Sequence, residues 1–484
     1  MAWIALVPLL LALTGWRGTG SAMRVQSPRR GFVLGLVAGL VYFVGTLYWT
    51  STVVAQFGGL PLPLALVAML LLALYLAIFP AVAALITARL LARVGPAALW
   101  LSPAPFVATE FFRGYLFGGF PWVPLGSSQV TVLPIAQFAS VVGVYGMTAL
   151  VAFVGAGLAF ALHVTGRPRV KAVATVVLVV GGVGLWGSWR VAEGSLARQG
   201  TPLRVALIQG NVPQEEKWEP RYAPRILTTY LDRSREAAQR GAEFIIWPES
   251  STPFMFEEDQ VGGQVVRDLV RDLGVPLLLG SDQLERAPSP RLYNAAFLVK
   301  PDGETAAVYR KIHLVPFGEY IPFKNWLFFV APLVESLAEF APGGSMVMLP
   351  VGPHLVSTAI CYEVVYPSLV REAVLAGSEL LTTITNDAWY GHSSAPFQHF
   401  ELASMRAIEQ GRYLVRAANT GISGIVDPYG RVVQRSGIFE QVSLVGDVRL
   451  TSARTIYSAI GDAVAYVAIA LTAAALLVVG RRAG

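Results

Sequence analysis

Apolar positions follow two regimes along the chain. Up to about residue 190 they run unbroken over 2 to 16, 31 to 55, 60 to 88, 96 to 112, 130 to 163 and 170 to 190, and once more over 457 to 480. A helix needs about 20 residues to cross a hydrocarbon core, so these runs predict seven membrane spans. Between 195 and 455 short β-branched runs alternate instead with stretches of helical period. Strands are predicted at 203 to 209, 243 to 248, 275 to 280, 293 to 300, 355 to 360 and 380 to 385, and helices at 221 to 240, 262 to 273, 367 to 377 and 396 to 410. The chain therefore reads as a polytopic helical membrane domain (1–194, about six spans), an extracytoplasmic α/β domain (195–455), and a last membrane helix with a short cytoplasmic tail (456–484).

Composition sharpens this division. Of the 484 residues, 54% are hydrophobic and only 14% charged, against about a quarter charged in soluble domains. Residues 1 to 200 contain just two acids, Glu110 and Glu193, as a segment without water to solvate carboxylates requires. The basic residues sit between the oily runs: Arg17, Arg24, Arg29 and Arg30, then Arg89 and Arg93, then Arg167, Arg169 and Lys171, and finally Arg481 and Arg482. Alternate loops offer only Arg113, so the positive-inside rule puts the basic set in the cytoplasm and 195–455 on the opposite face. The net charge of +6 thus reports topology, and no nucleic-acid partner is expected. A single cysteine excludes an intrachain disulfide and any zinc site with two cysteine ligands. His392 and His399 show no known ligand spacing, and neither metal nor cofactor is expected.

Three stretches can carry chemistry. In "LVSTAICYEVVYP" the lone Cys361 falls on a predicted strand-to-helix turn, where orphan N–H groups favour a thiolate; its bland reading is a buried space-filler. "FIIWPES" ends an apolar strand with Glu249, at the carboxyl end where open α/β sheets place reactive groups; the alternative is a capped turn with an incidental acid. "YRKIHLVPFGEY" sets Lys311 eight residues before Glu319, or else merely holds a surface Arg310–Lys311 pair. Together they supply a thiol, a base to take its proton and a cation for a developing oxyanion, beside the N–H after Cys361. A Cys-His arrangement with His313 or His354 as base is the competing assignment.

The ordered set "WPES", "RKIHLVPFGEY", "ICYE", "NDAWYG" and "RAANTGISGIVDPYG" resembles the nitrilase, or carbon-nitrogen hydrolase, superfamily with its Glu-Lys-Cys triad. "QGNVPQEEKW", "HLVPFGEY", "TEFFRG" and "GFPW" narrow the likeness to the apolipoprotein N-acyltransferase family of Gram-negative bacteria, over nearly the whole chain. The resemblance implies a periplasmic αββα sandwich inserted before the last helix of a multi-pass inner-membrane protein. It implies acyl transfer in two steps, from a phospholipid such as phosphatidylethanolamine to the N-terminal amine of the diacylglyceryl-cysteine of an apolipoprotein. By motif, Cys361 would carry the acyl thioester, Glu249 act as general base and Lys311 stabilise the oxyanion, with Trp218, Glu319, Tyr362 and Glu363 at supporting positions. The family shows one span more than the seven counted, which would precede residue 1.

Two local features bear on a lipid substrate. "IPFKNWLFFVAPLV" gathers Phe323, Trp326, Phe328 and Phe329 into a segment that reads as an interfacial lid or as ordinary core. Glu110 and Arg113 read as a structural lock between helices or as a headgroup pocket. The rival functions are a membrane-tethered amidase or nitrilase, in which water resolves the acyl-enzyme, and a transporter with a non-catalytic outer domain. Seven spans exceed what a hydrolase of soluble amides needs as an anchor, and the spans lack the paired charges and broken segments of a transporter.

Overall fold

The computed structural model describes residues 2–19, 23–321 and 339–481. The chain divides into two compact units, one of Met1–Ala55, Pro61–Glu193 and Ala459–Gly484, the other of Gln56–Leu60 and Gly194–Ser458.

The first unit is helical. Five helices among the described residues are long and apolar enough to cross a membrane: Pro28–Leu47, Leu62–Leu101, Ala139–His163, Arg167–Ala197 and Ala463–Arg481, beside a shorter apolar one at Ala2–Thr14. The expected span at 96 to 112 is not a separate long helix. A 3-10 turn at Gly95–Leu101 leads into Pro103–Arg113, whose 11 residues reach about 16 Å at 1.5 Å per residue, half of a hydrocarbon core. Small residues set the closest packing. Gly31, Gly35 and Gly39, one turn apart, face Ala88, Ala84 and Pro80 so tightly that added Cβ atoms would stand 2.8, 2.6 and 2.6 Å from them. Glu110 and Arg113 are spent on nearby backbone groups and the Thr148 hydroxyl. Arg113 Nη1 donates to the carbonyls of Phe120 and Trp122 at 2.7 and 2.8 Å, and Glu110 accepts from the Leu125 N–H at 2.8 Å and from Thr148 Oγ1. That is the structural lock.

The second unit is a four-layer αββα sandwich. One sheet orders its strands β12-β1-β2-β3-β4-β5 and the other β11-β10-β9-β8-β7-β6, with β1 Thr201–Gln209, β2 Phe244–Ile246, β3 Leu277–Glu285, β4 Arg291–Val299 and β5 Thr305–Arg310 in the first. β6 Leu349–Val351, β7 His354–Ile360, β8 Leu380–Thr385, β9 Leu414–Ala418, β10 Gly424–Val426 and β11 Val432–Arg435 form the second, and β12 Val442–Leu450 returns to pair with β1. The pleat sends alternate residues to opposite faces. Val205, Leu207, Phe244 and Ile246 meet Val356, Ile360, Leu380 and Ile384 between the sheets. Ala206, Ile208, Ile245 and Trp247 face outward onto Ile226, Tyr230, Val266 and Leu269 of the helices Ala223–Gln239 and Gln260–Leu273. β1, β2 and β3 run parallel, as do β7, β8 and β9. The carboxyl ends of β2, β7 and β8 carry Glu249, Cys361 and Asp387.

Candidate active site

Glu249 follows β2 through Trp247 and Pro248 and is 6% exposed. Both carboxylate oxygens are held: Oε1 accepts from Asn294 Nδ2 at 2.7 Å and Oε2 from the Asn386 N–H at 2.8 Å. The turn beyond it is strained, with Ser250 at φ +44°, a region that L residues other than Asn or Asp rarely adopt. It is braced from below. Gly280 N–H donates to the Pro248 carbonyl at 3.2 Å, Ser251 N–H to the Gly280 carbonyl at 2.8 Å, and Lys217 Nζ to the Glu249 carbonyl at 3.2 Å.

Lys311 leaves the end of β5 and is 1% exposed. Its Nζ lies 2.8 Å from Glu319 Oε1 and 3.6 Å from Glu249 Oε1, while Asn294 Nδ2 also reaches Glu319 Oε1 at 3.0 Å. Burial alone would lower the Lys311 ammonium, but the carboxylates of Glu319 and Glu249 outweigh it and hold the group above its ordinary value. It is a fixed cation rather than a base.

Cys361 stands directly after β7, 6% exposed and at φ +52°. Burial, and then the charge of Glu249, push its thiol well above the ordinary value, with Lys311 and the Thr385 hydroxyl pulling the other way. Cys361 opens a five-residue 3-10 turn, Cys361–Val365, and the helix Pro367–Leu375 begins only beyond it, so the positive end of a long helix does not lie beneath the sulfur. Those surroundings favour the protonated sulfur.

Glu363 is fully buried and ties that turn down. Oε2 accepts from the Ile360 N–H at 2.7 Å; Oε1 accepts from the N–H groups of Ile312 and His313 at 2.6 and 3.1 Å and from the Tyr309 hydroxyl at 2.9 Å. Burial pushes its carboxyl up to about 7 against those donors and Lys311. Tyr362 is buried edge-on to Tyr366 at 5.3 Å, and Tyr366 stacks on His313 at 4.2 Å. Trp218 is 47% exposed and stands apart from these hydrogen bonds. Phe323, Trp326, Phe328 and Phe329 lie outside the described residues.

Four groups escaped sequence reasoning. Lys217, the neighbour of Trp218, is 4% exposed, and burial lowers it to about 8 against the pull of Glu249 and Asp282. Asp282 on β3 is raised to about 6, first by burial. Asp387 and Arg416 are buried and paired at 2.8 Å, and Arg416 also reaches His399 Nδ1 at 2.9 Å. Burial would raise Asp387, but Arg416 and His399 outweigh it and hold the carboxyl well below its ordinary range. The signal was present in "QEEKW", "NDAW" and "RAANT", whose asparagines interlock: Asn419 Nδ2 donates to the Asn386 side chain at 3.0 Å, and Asn386 Nδ2 to Gln214 at 2.7 Å. The candidate base histidines sit elsewhere. His354 pairs with Glu379 at 2.7 Å at the far end of β7, and His313 stacks on Tyr366.

The ligand atoms of Cys361, Asp387 and His399 fall within 4.8 Å of one another, the one such metal-like grouping among the described residues. The Arg416 guanidinium already occupies the Asp387 and His399 lone pairs, so the donor set does not fit a cation.

Comparison with known proteins agrees in both units. A carbon-nitrogen hydrolase family model matches residues 204–457, and one for the apolipoprotein N-acyltransferase N-terminal domain matches residues 1–157. The apolipoprotein N-acyltransferase of Geobacter metallireducens is 37% identical over 491 residues, covering 100% of this chain and 91% of that protein. The chain belongs to the apolipoprotein N-acyltransferase family. The Shewanella oneidensis member is 33% identical over 99% of this chain and 91% of its own length. Among solved structures, a mutant amidase of the nitrilase superfamily from Nesterenkonia AN1 is 24% identical with a TM-score of 0.41, over 52% of this chain and 92% of that one. For this N-acyltransferase-family member the buried thiol, the doubly held carboxylate and the fixed ammonium can together perform nucleophilic acyl transfer.

Proposed function

We propose that Cys361 takes an acyl chain from a phospholipid as a thioester and passes it to the N-terminal amine of the diacylglyceryl-cysteine of an apolipoprotein. The observation that carries this is the Glu249–Lys311–Glu319 ion cluster beside the one thiol, in a family member with five long apolar helices among its described residues. In the first half-reaction Glu249 takes the thiol proton as sulfur attacks the ester carbonyl. The C–O bond then breaks, and the proton leaves on the lysophospholipid hydroxyl. In the second, the amine attacks the thioester, Glu249 takes the amine proton, the C–S bond breaks and the proton returns to sulfur. An exchange of this kind is ping-pong: the first product leaves before the acceptor enters. Phosphatidylethanolamine is the proposed donor, the Gram-negative inner membrane the proposed location, and the periplasm the proposed side for the catalytic unit.

Hydrolysis of a C–N bond is the competing outcome, since an amidase would use the same three groups with water as acceptor. The deciding experiment is the intact mass of the detergent-purified protein after incubation with phosphatidylethanolamine and no acceptor, beside Cys361→Ala. An acyl increment that neutral hydroxylamine removes and the alanine variant lacks is the expected result. An unmodified wild type that nevertheless releases ammonia from simple amides would install the amidase instead.

A further inference from the structure

His399 lies on the helix Ala395–Gln410 with no exposed surface, and the acyl transfer proposed above gives it no role. Its Nε2 is 3.1 Å from the backbone carbonyl oxygen of Cys361. A carbonyl only accepts, so Nε2 carries the proton. On the other side of the ring Nδ1 faces two groups, Arg416 Nη2 at 2.9 Å and Asp387 Oδ1 at 3.0 Å. In the neutral ring Nδ1 accepts from Arg416; in the imidazolium it donates to Asp387. Nε2–H is present in both, so the bond to the Cys361 carbonyl survives a change of protonation. Asp387 is itself anchored by Arg416 at 2.8 Å and by the Thr385 hydroxyl at 2.9 Å.

The carbonyl being held belongs to a residue at φ +52°, a conformation that disfavours most L residues and persists where the surroundings over-determine it. The peptide joining Cys361 to Tyr362 is planar and trans, so its N–H points opposite to its C=O. Fixing the oxygen toward His399 therefore fixes the Tyr362 N–H on the other side of the same plane. We propose that His399 is a positioning residue: through the Cys361 carbonyl it aims the Tyr362 N–H at the oxyanion of the tetrahedral intermediate. This rests on the thioester reading, because only an acyl substrate develops that oxyanion.

Two rates measured on the full-length protein in detergent separate this role from a general structural one. The first is thioester formation from phosphatidylethanolamine, followed by intact mass; the second is alkylation of Cys361 by iodoacetamide, a displacement at a saturated carbon that creates no oxyanion. His399→Leu is expected to slow the first by about 100-fold, the range for one lost oxyanion donor, and to leave the second close to wild type. His399→Gln, whose amide nitrogen sits near the position of imidazole Nε2, is expected to recover about tenfold of that loss. If the leucine variant shows no thermal transition, His399→Asn, polar but too short to reach the carbonyl, replaces it with the same expected split. Equal falls in both rates, an undiminished thioester rate, or a glutamine variant no better than the leucine one would each overturn the proposal. A wild type that forms no thioester would instead sink the underlying reading and this inference with it.

Discussion

Gly280 shows how little slack a single position near the candidate base allows. A Cβ there would stand 2.6 Å from Glu249 Cα, 2.6 Å from the Pro248 carbonyl oxygen and 2.7 Å from the Ser250 nitrogen. All three are backbone atoms, so no side chain can swing aside. Overpacking of this kind costs about 1–3 kcal/mol, and here the strain falls on a turn already at positive φ. A displacement of about 1 Å at a reacting group costs about 100-fold in rate. Gly280→Ala is therefore expected to lower thioester formation by about two orders of magnitude while the protein stays folded. Intact-mass kinetics beside a thermal melt would check it; full activity would mean that Glu249 does not depend on this turn.

At the scale of elements, Glu363 knots the ends of β5 and β7 to the segment 312–313 through four hydrogen bonds. Its folded value of about 7 lies above the ordinary 4.5. Between those limits the folded protein binds a proton that the unfolded chain does not, so this contribution is full below about 4.5 and lost as pH rises through about 7. Wild type measured against Glu363→Gln should thus show a larger advantage in melting temperature, or a smaller deficit, at pH 5 than at pH 8. Parallel curves would remove Glu363 from that role. The same elements show what the sequence made legible. β7, β8 and the helices at 367 and 395 stood out because their apolar runs are bounded by Pro367, Gly377 and Gly411, and the end of the β7 run located Cys361 as the end of the β2 run located Glu249. β9 did not, because Arg416 interrupts a short strand buried on both faces; its bonds to Asp387 and His399 make that charge tolerable. β12 was missed for another reason. It alternates as a strand should, yet its partner is β1, some 240 residues earlier in sequence, and no local pattern announces that pairing.

For the whole molecule, charge is the one property that speaks to orientation. Two of the chain's 31 acids lie in the first 200 residues, so the second unit holds nearly all the carboxylates, among them the buried Glu249, Asp282, Glu363 and Asp387. Arg167, Arg169 and Lys171 open the helix Arg167–Glu193, three residues beyond the helix Ala139–His163. Short basic segments of this sort tend to stay in the cytoplasm, so a crossing by the helix Arg167–Glu193 is expected to put residue 194 on the opposite side. That helix is 27 residues long, ample for a core that needs about 20. Because Cys361 is the only cysteine, a Cys361→Ser background is blank to maleimides, and single cysteines then report sidedness. Arg235→Cys, on the exposed face of the helix Ala223–Gln239, is expected to react with a membrane-impermeant maleimide in intact spheroplasts of a Gram-negative host. Arg167→Cys, also exposed, is expected to react only after permeabilisation. The reverse labelling would place the thiol on the cytoplasmic side, away from exported acceptors, and the acyl-transfer reading would lose its second substrate.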